Sequence, residues 1–347
     1  MSKKVGKQTV ALENPPSITA YSSIVGPKEG LGPLKRYFDI IIEDEMLGEK
    51  SWEKAESRLL KNNLDNLIKK ANKSYNDIDY LLMGDLLNQC IASNYAARDT
   101  RIPFFGLYGA CSTMAESISL GAMLVDGDFA NSVICITSSH FCAAEKQYRF
   151  PLEFGTQRTP TAQWTVTGSG GVIIEKSGIG PYIKNITTGK IIDMEIKDAN
   201  NMGAAMAPAA SDTILNHFKD LGLKEDYYDM IITGDLGKIG SIACRDILKD
   251  EGLDLGDKLK DCGMLIFDIL ESDTHAGGSG CGCSASVLAS YILEEMSKCS
   301  INKILFVATG ALMSPEMLLQ GESIPAIAHA VTIVNDFKEW DKWEVMY

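Results

Sequence analysis

The chain reads twice. Its first half runs Tyr80-Leu-Leu-Met-Gly84-Asp85-Leu86, then Gly109-Ala-Cys111-Ser112, then an apolar run ending Ile134-Cys-Ile-Thr137-Ser138. The second half answers with Asp229-Met-Ile-Ile-Thr-Gly234-Asp235-Leu236, Gly282-Cys283-Ser284 and Ile304-Leu-Phe-Val-Ala-Thr309-Gly310. Asp235 follows Asp85 by 150 residues, while Cys111 to Thr137 and Cys283 to Thr309 both span 26. Each copy holds strand, helix and strand signals, so the repeat predicts two similar α/β units, 1–190 and 191–347, facing each other. A ligand site would fall between them, where strand ends and helix starts of both copies converge.

Charge and composition exclude several classes. A net charge of −13 leaves no basic stripe for nucleic acid and disfavours unaided binding to an anionic bilayer. No run of 18 apolar residues occurs, and Met1-Ser-Lys-Lys-Val lacks a signal peptide's apolar stretch. The nine cysteines are odd in number and lie mostly in apolar or Gly-rich runs, which suits reduced, intracellular thiols. Any membrane role would be peripheral and carried by partner proteins.

Local patterns place the elements. Ser51 precedes a helical period through Leu59, Leu60, Leu64 and Leu67 to Ala71. Shifted by 150, the helix recurs as Asp212–Leu221, with Ile214 and Phe218 where Leu64 and Ile68 stood. Strands are expected at Tyr80–Met83, within Arg101–Ala110 and at Ser132–Thr137. Helices of small residues should open after Cys111 and after Cys283, the composition of packed central helices. A long loop is expected from Ser138 to Gln163 and a charged, aromatic surface tail over Phe337–Tyr347.

Cys111 leads the chemical candidates. At a strand-to-helix turn, a thiolate would meet the positive end of a helix dipole, although a small buried thiol has the same signature. Of the four histidines, His140 ends a strand on the side where Cys111 should be presented, whereas His217, His275 and His329 read as helix, loop and core residues. Asp85 and Asp235 end equivalent strands. Such carboxylates can serve acid–base work, bind a cation or cap loops. Lys146, Arg149 and Arg158 form a small basic group, an anion reader or a solvated loop. Gly168-Ser-Gly-Gly lacks the Lys-Ser/Thr of a phosphate loop, and Cys281-Gly-Cys283 lacks the paired spacing of a zinc site.

At Gly109-Ala-Cys111-Ser, Gly168-Ser-Gly-Gly-Val-Ile-Ile and Gly280-Cys-Gly-Cys-Ser-Ala-Ser the chain resembles the thiolase and 3-ketoacyl synthase superfamily. More closely it resembles the stage V sporulation protein AD family, at Gly84-Asp-Leu-Leu-Asn88-Gln89, Thr137-Ser-Ser-His140, Met206-Ala-Pro-Ala-Ala, Ala276-Gly-Gly-Ser-Gly-Cys and other motifs over its whole length. The resemblance implies a duplicated thiolase-like fold of five layers, α-β-α-β-α, with halves related by a pseudo-twofold axis. It implies a component of the spore's dipicolinic acid channel, acting in uptake during sporulation and release during germination. Such a protein would be intracellular, in the forespore or spore, and peripheral to the spore inner membrane. Its partners would be dipicolinic acid, the membrane subunits of the same channel and a second copy in a homodimer.

The departures from the superfamily decide the expected activity. Condensing enzymes complete the cysteine with a second-half His and a further His or Asn. Here those positions read Thr233-Gly-Asp235-Leu and Gly280-Cys281-Gly. Losing such donors costs about 10²–10³-fold each, so the expectation is a binding protein with a vestigial nucleophile. The alternative is a cysteine acyltransferase or thioesterase using Cys111 with His140. The expected ligand set is Asp85, Cys111, Ser112, His140, Arg149 and Asp235; His140, if protonated, would add a charge-assisted bond to a carboxylate. No cofactor is required. Asp85 beside a dianion must either be protonated or be bridged to the ligand by Ca²⁺, as in the calcium chelate, and the sequence leaves both open.

Overall fold

A computed structural model of the protein describes residues 3–148 and 158–336. The first half supplies β1 (Thr9–Ala11), β2 (Ser17–Val25), β3 (Ile40–Ile41), β4 (Tyr80–Gly84), β5 (Phe104–Gly106), β6 (Ser132–Ser139), β7 (Trp164–Thr165) and β8 (Gly168–Glu175). There follow β9 (Tyr182–Thr187), β10 (Met230–Thr233), β11 (Leu259–Asp261), β12 (Gly278–Ser279), β13 (Lys303–Ala311) and β14 (Ala326–Val334). The helices are α1 (Trp52–Lys70), α2 (Ile91–Ala97), α3 (Thr113–Asp126), α4 (Phe141–Tyr148), α5 (Met202–Leu221) and α6 (Gly237–Asp250). After them come α7 (Cys262–Ile266), α8 (Cys281–Val287) and α9 (Leu293–Ser297), the last two joined by a π-helical turn at Leu288–Ile292.

The repeat is visible in the hydrogen bonding. One set of strands runs β5-β4-β6-β8-β2 and the other β11-β10-β13-β14-β9. In each, the first three strands are parallel and the last two pairings antiparallel. The sets meet where Ser17 pairs with Tyr182. β9, though N-terminal to residue 190, pairs with β14 of the second set along its length.

Strand alternation builds the layers, because successive side chains point to opposite faces. Leu81 and Met83 of β4, with Ile134 and Ile136 of β6, pack outward under Leu60, Leu64 and Leu67 of α1. Leu82, Val133 and Cys135 face inward to Met114 and Ile118 of α3. In the second set, Leu305 and Val307 face Ile214 and Phe218 of α5, whereas Ile304 and Phe306 face the centre. Helices α3 and α8 therefore lie between the two sheets, and α1 and α5 outside them. Each fully buried Leu or Ile in these layers is worth roughly 1.5–3 kcal/mol.

Helix α1 begins where expected: the Ser51 hydroxyl accepts from the Lys54 amide at 3.4 Å. Helix α5 starts ten residues before Asp212, with Asn201 as its cap, and carries Pro208 inside it. The buried Ala205, Ala207, Ala209 and Ala210 pack that extra length into the second-half core. The expected loop from Ser138 to Gln163 contains α4, which buries Ala143, Ala144 and Glu145. The expected tail over Phe337–Tyr347 lies outside the described residues. Among the described residues, no helix is long and apolar enough to cross a membrane.

The pairing of Cys111 with Cys283 is corrected. Leu81 lies opposite Ile134, and Ile231 opposite Leu305, so β6 maps onto β13 by 171 residues rather than 172. The ends of α3 and α9, Asp126 and Ser297, are also 171 apart. A π turn inserts one residue into a helix, so upstream of it the step is 170 and Cys111 corresponds to Cys281. Cys283 is the third residue of α8.

Close backbone contact interlocks the halves. A Cβ on Gly170 would lie 2.0 Å from the Ala285 carbonyl, and one on Gly310 would lie 2.2 Å from the Gly109 carbonyl. The Gly168-Ser-Gly-Gly run thus provides the flat surface on which α8 lies.

Candidate functional site

Cys111 lies two residues before α3, after Ala110 in a left-handed conformation (φ 51°). Its thiol is 3.9 Å from the Ser279 hydroxyl, in the neighbourhood of the buried Asp235 carboxylate. Asp235 accepts from the Ser279 hydroxyl (2.9 Å), the Gly280 amide (3.0 Å) and the Thr309 hydroxyl (2.6 Å). Cys111, Cys281, Leu86 and Ala144 form one buried cluster, against which Tyr148 packs. The Cys281 thiol donates to the Ser138 carbonyl at 2.9 Å.

These surroundings favour the buried thiol over the activated thiolate. Burial first, then the Asp235 carboxylate, pushes the Cys111 thiol well above its ordinary value. A carboxyl ordinarily ionises about four to five units below a thiol, so the carboxylate forms first and the sulfur keeps its proton. The helix start does not compensate: the Ser112 hydroxyl is turned back to the Gly109 carbonyl (2.6 Å).

The two related aspartates play different parts. Asp85 accepts from the Leu87 amide (2.9 Å), the Ser93 amide (2.8 Å) and the Ser93 hydroxyl (2.6 Å), which fastens the loop before α2. Burial raises its ionisation above the ordinary carboxyl range. Asp261 takes the corresponding duty beside Asp235, accepting from the Leu236 (2.8 Å) and Gly237 (3.0 Å) amides and the Thr233 hydroxyl (2.7 Å).

His140 meets other groups. Its Nε2–H donates to the Glu45 carbonyl at 3.0 Å, and its ring faces Trp52 at 5.5 Å. Burial lowers its pKa, which disfavours the protonated form that a charge-assisted bond would need. The basic group also disperses. Lys146 pairs with Glu53 (2.7 Å), whereas Arg158 donates to the Asp273 carbonyl (2.9 Å) over the Trp164 ring. Arg149 lies outside the described residues.

A narrow cleft reaches this centre from the surface, lined by Glu145, Gln163, Thr165, Asn200, Met202 and Ser279. Its volume is about 20 Å³, room for a single water. Gln163 braces the floor, donating to the Asp235 (2.6 Å) and Gly278 (3.0 Å) carbonyls. Tyr108 and Tyr148 hydroxyls join at 3.0 Å beside the cysteines, and Tyr148 donates to the Leu86 carbonyl. Among the described residues no group of three or more His, Cys, Asp or Glu side chains could hold a metal. Sequence reasoning missed Ser279, Thr309 and Asp261 as site residues. The repeated Cys-to-Thr interval did not single out Thr309, which with the step of 171 residues answers Ser138 rather than Thr137.

Comparison with known proteins fits this geometry. The family model for stage V sporulation protein AD matches residues 6–334. The stage V sporulation protein AD of Bacillus subtilis (strain 168) is 46% identical over 329 residues, covering 95% of this chain and 97% of that protein. Among solved structures, 3-oxoacyl-[acyl-carrier-protein] synthase III of Aquifex aeolicus VF5 aligns with TM-score 0.54 and 11% identity, covering 92% of this chain and 99% of that one. Cerulenin-bound OleA of Xanthomonas campestris aligns with TM-score 0.59 and 13% identity, covering 93% and 97%. At such identities these two establish a thiolase-like fold alone.

Proposed function

The chain belongs to the stage V sporulation protein AD family, and from that premise we propose that it binds dipicolinic acid in the spore's dipicolinic acid channel without condensing activity. The observation that supports the non-catalytic part is the burial of Cys111 near the Asp235 carboxylate, both of which favour the protonated thiol. A condensing enzyme needs the opposite: an activated thiolate and donors for a developing oxyanion.

The ligand would enter along the cleft toward Ser279 and Cys111. A rigid aromatic diacid exceeds the space present, so the rim at Glu145 and Asn200–Met202 would have to part. The described groups around the cysteine are carboxyls, thiols, hydroxyls and amides. Burying a dianion there is costly, whereas its one-to-one calcium chelate is neutral. The chelate is therefore the form this site would take, with Ca²⁺ facing the carboxylates and the thiol donating to a ligand oxygen. Calorimetric titration of the full chain with dipicolinate, with and without Ca²⁺, tests this. One-to-one binding strengthened at least about tenfold by Ca²⁺ is expected. No heat in either arm would remove the binding role, and equal affinity in both would remove the chelate.

A further inference from the structure

Four apolar side chains of the second half stand outside its core on two neighbouring segments. In the first, Ile192 and Ile196 pack against the core, while Ile191 and Met194 are each 61% exposed. In the second, the short helix α10 (Pro315–Leu319), Leu318 packs against the core and leaves Met317 46% and Leu319 90% exposed. Hydrogen bonds lock the two segments together. Ile192 and Ala326 exchange both amide bonds at 2.8 Å, and the Ile324 amide donates to the Ile196 carbonyl at 2.8 Å. The Ser323 hydroxyl donates to Asp193 (2.6 Å), Lys197 donates to the Gly321 carbonyl (2.6 Å), and the Glu322 amide returns to the Met317 carbonyl (3.0 Å).

The charge on these segments is mainly of one sign. Asp193, Glu195, Asp198, Glu316 and Glu322 are all exposed, and none has an ion-pair partner among the described residues. Against these five carboxylates the segments carry two lysines. Lys190 is already held by Asp212 at 2.9 Å, and Lys197 is turned to the Gly321 carbonyl. Single exposed apolar residues are ordinary on a protein surface, whereas several on segments tied this closely form a patch, and a patch rimmed by charge has the character of an interaction surface.

We infer that this face docks a basic, apolar-bearing segment of a partner protein. Charge selects the occupant. An anionic bilayer would meet the unpaired carboxylates, and a second copy set face to face would oppose acid to acid. Lysines or arginines flanking an apolar anchor complement both features, with Met194 and Met317 as adaptable contacts. The position adds a consequence. Ala199, Asn200 and Met202, which line the cleft toward Cys111, follow Lys197 closely in the chain. A partner seated here bears on the rim that a ligand must part, a step that rests on the binding role proposed above. The docking itself does not depend on that role, so the two readings fail separately.

The test places a photo-crosslinking phenylalanine analogue at Leu319 in the full chain, in sporulating cells, with the attached peptide mapped by mass spectrometry. The expected product is a protein segment that carries apolar residues and more Lys and Arg than Asp and Glu. Its yield should fall about tenfold or more in Glu195→Lys/Glu322→Lys, two exposed positions whose change leaves the melting temperature near that of the parent. Crosslinks to lipid, to an acidic segment or to a second copy of this chain would overturn the inference. So would the absence of any product, or a yield indifferent to the charge reversal.

Discussion

The Cys111 thiol lies 3.9 Å from the Ser279 hydroxyl across the seam between the two halves, and that hydroxyl donates to the Asp235 carboxylate at 2.9 Å. Asp235 is the second-half counterpart of Asp85, so the duplication has placed one copy's loop aspartate against the other copy's would-be nucleophile. Ser279, Gly280 and Thr309 donate to that carboxylate, and its charge near the buried sulfur favours the neutral thiol.

Cys111 should therefore resist alkylation. With iodoacetamide at pH 7 under native conditions, the exposed Cys299 should be modified well before the buried Cys111. Peptide mapping over time reads both. Faster modification of Cys111 would show that it is an activated thiolate.

Asp85→Ala should lower stability more than an ordinary surface change. The substitution strands the Leu87 and Ser93 amides in the interior, and each lost buried partner costs about 1–3 kcal/mol. Denaturant unfolding measures the loss. A stability equal to the parent would mean that this carboxylate does not hold the loop.

Stability should also fall as pH rises through the range of buried Glu29. Burial raises its pKa from 4.5 to about 8. Below 4.5 both folded and unfolded chains carry the proton. Between 4.5 and 8 only the folded chain does, so stability declines by up to about 1.4 kcal/mol per pH unit. Glu29→Gln keeps an acceptor for the Thr167 amide and removes the titration. Unfolding curves at pH 5 and pH 8 should show the variant gaining on the parent by a few kcal/mol at the higher pH. Asp261, raised to about 7 by burial, is present in both proteins and cancels in the difference.

Gly170→Ala should destabilise by at least about 1–3 kcal/mol, since its Cβ would strike the backbone of α8 at Ala285. Gly321, where a Cβ would meet nothing within 4 Å, is the matched control site, although its φ of 91° adds its own strain. Thermal unfolding of the two variants compares them, and equal losses would deny the close helix-on-sheet contact.

The fold was legible because its cause is local and repeated. Continuous apolar runs in Tyr80–Gly84 and Lys303–Ala311 mark strands covered on both faces, and the helical spacing of Leu60, Leu64 and Leu67 marks the face of α1 that covers one of them. The nearness of Cys111 to Asp235 was not legible, because 124 residues separate them (235 − 111) and it depends on how the halves meet. The one-residue error in matching the two central helices has a similar origin. A π turn leaves no plain mark in a run of small residues, yet it decides that Cys281, not Cys283, answers Cys111.

The central claim is that a thiolase-type nucleophile has been retired within an intact fold. Intact mass spectrometry of the full chain incubated with acyl-CoA substrates at pH 7, together with the rate of CoA release, tests it most directly. The account predicts no acyl adduct on Cys111 and no turnover above that of Cys111→Ala. An adduct at that residue, or CoA release that vanishes in the variant, would contradict it and restore the acyltransferase reading.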